Sequence, residues 1–200
     1  MSRPMRALPT VTWRAALSAL PALYLGVALA AGALSGWTRA VPLAGWLAPL
    51  FLVRFLRTRR PLAGFLIAGA ATGAARFVVD REAMPLPTPV ALVACILGGF
   101  AGALPFLADR LTCGSGGAGR AAGTGVRRPG FATTLVLPMT AVALDYALSF
   151  AYTGTITSPA YSQAGNLPLL QLAAVTGPWG ISFLLPTVSR TQSGSVRPSW

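Results

Sequence analysis

The sequence predicts an all-α integral membrane protein, a helical bundle of about six transmembrane helices. The first reason is charge. Only 10% of the 200 residues are charged and 54% are hydrophobic, with a mean hydropathy of +0.63. Soluble domains carry about 25% charged residues, so this chain lacks the solvated side chains needed to cover a globule in water. The second reason is patterning. The apolar residues fall into six runs, and a helix rising about 1.5 Å per residue crosses a bilayer core of about 30 Å in roughly 20 residues. The third is the placement of arginine between those runs, which is the signature of topology.

The runs, in order, are 15–35, 41–56, 61–79, 86–108, 131–151 and 167–186. Segment 15–35 is long enough for one crossing. It also has the basic flank and small residues (VALAAG) of a signal peptide, so cleavage stays open. Segment 41–56 is short, and it spans only if Arg54 and Arg57 extend to the interface. Segment 167–186 carries Pro178-Trp179-Gly180, which predicts a break or kink around 174–180. Three GxxxG pairs, Gly32–Gly36, Gly69–Gly73 and Gly98–Gly102, are candidate sites of close helix approach. In a chain with 22 glycines such pairs also arise by chance.

The sixteen basic residues are all arginine. Six spans with both termini on one side place thirteen of them in the N-terminus (1–14), the 54–60 turn, the Gly/Arg-rich 109–130 loop and the polar 187–200 tail. Only Arg39, Arg76 and Arg81 fall on the other side. The positive-inside rule makes the thirteen cytoplasmic, with both termini inside a plasma membrane.

The absences exclude much chemistry. Without His or Lys there is no Ser-His-Asp triad, Cys-His pair, zinc helix, Schiff base or phosphate-loop lysine. The stretch GSGGAGRAAGTG (114–125) reads as a flexible linker. Cys95 and Cys113 suggest neither a disulfide nor a metal site. No cofactor, metal or nucleic acid is expected.

Among polar residues Asp145 stands out as the acid inside a span. It reads either as a substrate-path or helix-pinning carboxylate or as an acid reaching for the interface. After it, Tyr161, Gln163, Asn166 and Gln171 are neutral hydrogen-bonding groups suited to a membrane–water boundary.

The run Tyr161–Leu185, YSQAGNLPLLQLAAVTGPWGISFLL, resembles the segment that precedes the catalytic domain in bacterial apolipoprotein N-acyltransferases and their nitrilase-related relatives. The matching elements are Tyr161-Ser162-Gln163, the Leu170-Gln171 pair, and Gly177-Pro178-Trp179-Gly180-Ile181-Ser182-Phe183-Leu184. Residues 46–73 resemble the family's second and third membrane segments, and 143–150 stands at its acidic helix. The chain departs from the family in having Thr157-Ser158-Pro159 where a Phe-Pro-Trp element is common, and Asp145 in place of a Glu.

The resemblance implies an inner-membrane transferase of lipoprotein biosynthesis. The family moves an acyl chain from a phospholipid donor to the amine of a lipoprotein acceptor, through a Glu-Lys-Cys set on a nitrilase-type domain. In the chain itself no residue is expected to be catalytic. Asp145, Tyr161, Gln163, Gln171, Trp179 and Ser182 are the expected substrate-path or domain-supporting residues. The polar composition after Leu185 leads us to expect a truncated or frameshifted product, inactive alone. A natural tail on a complete protein is the alternative, as is a small six-span transporter or membrane scaffold.

Overall fold

The computed structural model describes residues 13–36, 39–83, 85–114, 131–150, 155 and 158–195. Among them every regular element is helical. The order is α1 (Trp13–Ser35), α2 (Pro42–Arg57), α3 (Pro61–Asp80), α4 (Thr88–Gly114), α5 (Phe131–Ser149), a short 3-10 helix (Pro159–Gln163), α6 (Leu167–Thr176) and α7 (Pro178–Ser195).

The helix starts are written in the sequence. Val41 and Arg60 are extended, and Pro42 and Pro61 follow them in the first turn of α2 and α3. There the missing N–H costs nothing and the ring presets the helical φ. Arg54 and Arg57 occupy the last turn of α2, where cations meet the negative end of the helix dipole. Prolines also sit inside helices, at Pro49, Pro105 and Pro138. Membrane helices tolerate them because neighbouring groups take up the freed backbone.

α1 packs along α2, α3 along α4, and α5 between α4 and α7, while α7 closes back on α2. One core cluster joins Ala28, Leu52, Phe55, Leu56 and Ala68, and a second joins Ala160, Ile181 and Leu185. Large apolar side chains face outward in number, among them Leu62 (67% exposed), Val78 (71%) and Val175 (86%). In water such a surface would drive association; against lipid tails it is the ordinary state.

The α3–α4 pair meets through small residues. A Cβ on Gly99 would strike the backbone of Gly69 and Gly73, and one on Gly73 would lie 2.7 Å from Ile96 Cα. The Gly69–Gly73 pair is therefore a true crossing point. Its partner on α4 is Gly99, since Gly102 has nothing within 4 Å and Gly98 has only an arginine nitrogen at 4.0 Å.

Among the described residues three helices are long and apolar enough to cross a membrane: Pro61–Asp80, the Thr88–Thr112 stretch and Phe131–Ser149. They become four if α6 and α7 count as one broken span. The count of about six is thus not reached by length and composition. α2, with 16 residues, is about 24 Å long, and α1 contributes Ala19–Ser35 as a further, shorter apolar stretch among the described residues.

The break expected around 174–180 is present, and two boundaries differ from the sequence expectation. Segment 167–186 is two helices, bent by 120°. The break falls at Gly177, whose φ of 68° and ψ of −173° lie in a region only glycine enters without strain; Pro178 then starts α7. α4 runs on to Gly114, so Asp109 and Arg110 are helical rather than in a loop. Asp145 is therefore not the only acid on a span-forming helix. Lastly, α7 continues through Ser195 where an aperiodic polar tail was expected. Its hydroxyls bond back to their own helix, Thr187 to Phe183 O at 2.6 Å and Ser189 to Leu185 O at 2.8 Å. Such back-bonding gives hydroxyls that leave water an acceptor within their own helix. The 114–125 linker lies almost wholly outside the described residues.

The bundle has two unlike ends. Arg110 Nη2 donates to Arg59 O at 3.2 Å, and Arg190 Nε meets Asp109 Oδ1 at 2.8 Å. These contacts gather the α2–α3 turn and the C-terminal ends of α4 and α7 into an arginine-rich end. The opposite end holds the start of α2, the end of α5, the 3-10 helix and the start of α7.

A candidate site of hydroxyls and one carboxylate

The site begins with Ser158-Pro159. Ser158 caps the 3-10 helix, its Oγ accepting from Ala160 N at 3.4 Å, and Pro159 supplies the preset φ of a first turn. The same Ser158 hydroxyl donates to Asp145 Oδ2 at 2.7 Å. From α7, Ser182 donates to that oxygen at 2.6 Å. The two hydroxyl oxygens lie 3.2 Å apart. Three oxygens from α5, the linking segment and α7 thus form one triangle. Ser158 and Ser182 are buried at 4% and 2% exposure, and a carboxylate collecting two hydroxyl donors satisfies polar groups that would otherwise be costly to bury.

The 3-10 helix is fastened on its other side by Gln163, which is fully buried. Its Oε1 accepts from Trp46 Nε1 at 3.2 Å. Its Nε2 donates to Pro42 O at 2.8 Å and to Ser162 Oγ at 3.0 Å. The approach is possible because residue 45 is glycine: a Cβ there would collide with Ser162 Oγ and lie 2.8 Å from Gln163 Nε2. One five-residue turn therefore bridges α2, α5 and α7.

Around this knot the aromatic rings stack edge to face. Trp179 lies 5.4 Å from Tyr146, which lies 5.1 Å from Phe150. Below them Met139, Val142, Ala143, Tyr146 and Phe183 line an apolar groove of about 360 Å³ between α5 and α7.

Of the six residues singled out from sequence, the structure brings Asp145 and Ser182 into direct contact. Gln163 lies on the 3-10 helix that Ser158 caps, and Trp179 adjoins through Tyr146. Tyr161 points outward, 42% exposed, with its hydroxyl 3.0 Å from Thr155 Oγ1. Gln171 is exposed on α6 and has no hydrogen bond among the described residues. Sequence reading missed Ser158, Trp46 and Gly45. Ser158-Pro159 carried a usable signal, because serine before proline marks a turn start. Nothing local marks Gly45.

The arrangement holds helices together and presents a polar rim, but it lacks the parts of a nucleophilic site. Ser158 and Ser182 face a carboxylate with no imidazole or amine to pass a proton onward. Cys95 is buried in the α3–α4 pair, away from this end. Among the described residues no cluster of metal-ligating side chains occurs.

No curated protein and no solved structure matches the chain. The family profile of the apolipoprotein N-acyltransferase N-terminal domain matches residues 38–190, which takes in α2 to α7 and both ends of the bundle. With three quarters of its length so matched, the chain belongs to the apolipoprotein N-acyltransferase N-terminal domain family.

Proposed function

We propose that this chain is the lipid-facing part of phospholipid-to-lipoprotein N-acyl transfer in a bacterial inner membrane. It guides the acyl donor and supports the chemistry without performing it. The observation that carries the reading is the family match over 38–190. The geometry is consistent with it: of the motif residues, Gln163 fastens the 3-10 turn to α2 and Ser182 ties α7 to α5.

The transfer, as the family resemblance implies it, needs a cysteine to accept the acyl group, a glutamate base and a lysine to stabilise the oxyanion. The 200 residues contain no lysine, so that set is not among them. Here the Asp145–Ser158–Ser182 knot would hold the platform rigid. The α5–α7 groove beneath it would seat an acyl chain, and the outward Tyr161 and Gln171 would border the acceptor's path. The arginine-rich end, with both termini, would lie in the cytoplasm.

A small transporter is the second reading. One observation favours it: Asp109 and Arg190 form an intramembrane-type pair, with side chains 5% and 10% exposed, of the sort that marks transport paths. The pair lies at the arginine-rich end rather than near mid-span, where transporters bind.

The separating experiment uses a full-length relative with alanine at the positions matching Tyr161, Gln163 and Gln171. Acyl-enzyme formation is followed by mass spectrometry. The proposal expects the thioester to form, with weaker donor affinity or lower stability. Loss of the thioester in a folded variant would place these residues in the chemistry and overturn it.

A further inference from the structure

We infer that the arginine-rich end carries a binding site for the phosphate of an anionic phospholipid, formed by Arg59, Arg60 and Arg110 between the α2–α3 turn and the last turns of α4. The inference does not rest on the acyl-transfer reading.

The first argument is a deficit of negative charge. The chain has four acids, and each has a known place. Asp145 takes the two serine hydroxyls at the other end. Glu82 stands 3.8 Å from Arg81. Asp80 ends α3, some 30 Å from its arginine-bearing start. Asp109 alone is at the arginine-rich end, where it pairs with Arg190. Arg54, Arg57, Arg59, Arg60 and Arg110 share that end with this single carboxylate. Arg54 has turned over the Phe51 ring, 5.7 Å from its centroid. Arg59, Arg60 and Arg110 meet no side-chain carboxylate among the described residues.

The second argument is geometric. The structure draws the cations together instead of spreading them, since Arg110 reaches across to the backbone of Arg59 at 3.2 Å. That bond uses Nη2 only. Arg110 Nε is buried and meets no acceptor among the described residues. Buried guanidinium N–H groups are costly to leave unpaired, and a phosphate oxygen is the acceptor their forked geometry fits best. Arg59 and Arg60 stand exposed beside it.

A lipid fits better than a soluble anion because the surround is apolar. Leu62 stands two residues after Arg60 and is 67% exposed, and Leu111 follows Arg110 and is 50% exposed. A headgroup phosphate on the arginines would lay its chains along these leucines. Basic pockets between membrane helices bind anionic headgroups in this way.

The test uses the full chain, delipidated in a neutral detergent. Native mass spectrometry and thermal unfolding are read with added phosphatidylglycerol, with phosphatidylcholine, and with inorganic phosphate. Phosphatidylglycerol should be retained and should raise the melting temperature; the other two should do neither. The Arg59→Gln/Arg60→Gln pair leaves the Arg59 carbonyl in place, so it should fold. At about five-fold per arginine, it should weaken phosphatidylglycerol binding roughly 25-fold. Arg110→Gln should act in the same direction. Arg39→Gln, exposed outside this cluster, should change nothing. Equal retention of phosphatidylcholine, equal stabilisation by phosphate alone, or an equal loss in Arg39→Gln would each overturn the inference.

Discussion

Ser182 on α7 donates to Asp145 on α5 at 2.6 Å, 37 residues away in sequence and across the face where the 3-10 turn docks. That bond couples the motif Gly-Ile-Ser-Phe-Leu to the acidic position of α5. It also explains why an ionisable group is tolerated in an apolar helix: its oxygen is occupied by two hydroxyls from buried serines.

Removing this coupling should be measurable. Ser182→Ala should lower stability by about 1–3 kcal/mol, the usual effect of deleting one partner of a buried hydrogen bond. Asp145→Leu should cost more, since it strands both hydroxyls. Asp145→Asn keeps a carbonyl acceptor and should be the milder change. Thermal unfolding in detergent ranks the three; a stable Asp145→Leu variant would show that the knot is not structural.

Gly45→Ala should detach the 3-10 turn. The added methyl has no room between Ser162 and Gln163, and overpacking of this kind costs about 1–3 kcal/mol. Trp46, released from Gln163, should change its fluorescence. Gly32→Ala, with nothing within 4 Å of its Cβ, is the control and should be neutral. Equal behaviour of the two would refute the docking.

The α3–α4 crossing gives a similar contrast. Gly73→Leu should separate the helices and destabilise the chain, because its Cβ would meet the Ile96 backbone. Gly102→Leu on α4 should be tolerated, since that face is open. If both are equally harmful, small-residue packing is not what holds this pair.

The Asp109–Arg190 pair should behave as a buried ion pair. Arg190→Met alone removes the guanidinium that Asp109 meets and should cost about 3–5 kcal/mol, whereas Asp109→Leu with Arg190→Met should recover much of that loss. Chemical denaturation of the two variants decides it; additive losses would mean the residues act independently.

The sequence made the class legible because charge content and apolar run length depend on no tertiary contact. The Pro-containing break near Gly177 was legible for the same local reason. The extent of α7 was not: Thr187, Ser189 and Arg190 look like a solvated tail until their partners, Phe183, Leu185 and Asp109, are seen. Asp145 was legible as unusual, but its partners Ser158 and Ser182 lie 13 and 37 residues away, and only the fold brings them together. Gly45 was invisible in a chain with 22 glycines, since its role depends on the one turn that packs against it.

The central claim is that the two ends of the bundle face opposite sides, arginines in the cytoplasm and the Asp145–Ser182 end outside. Alkaline-phosphatase fusions after residues 60, 120, 160 and 195 test it most directly. The account predicts phosphatase activity at 160 alone and cytoplasmic signals at the other three. A cytoplasmic signal at 160 would contradict it.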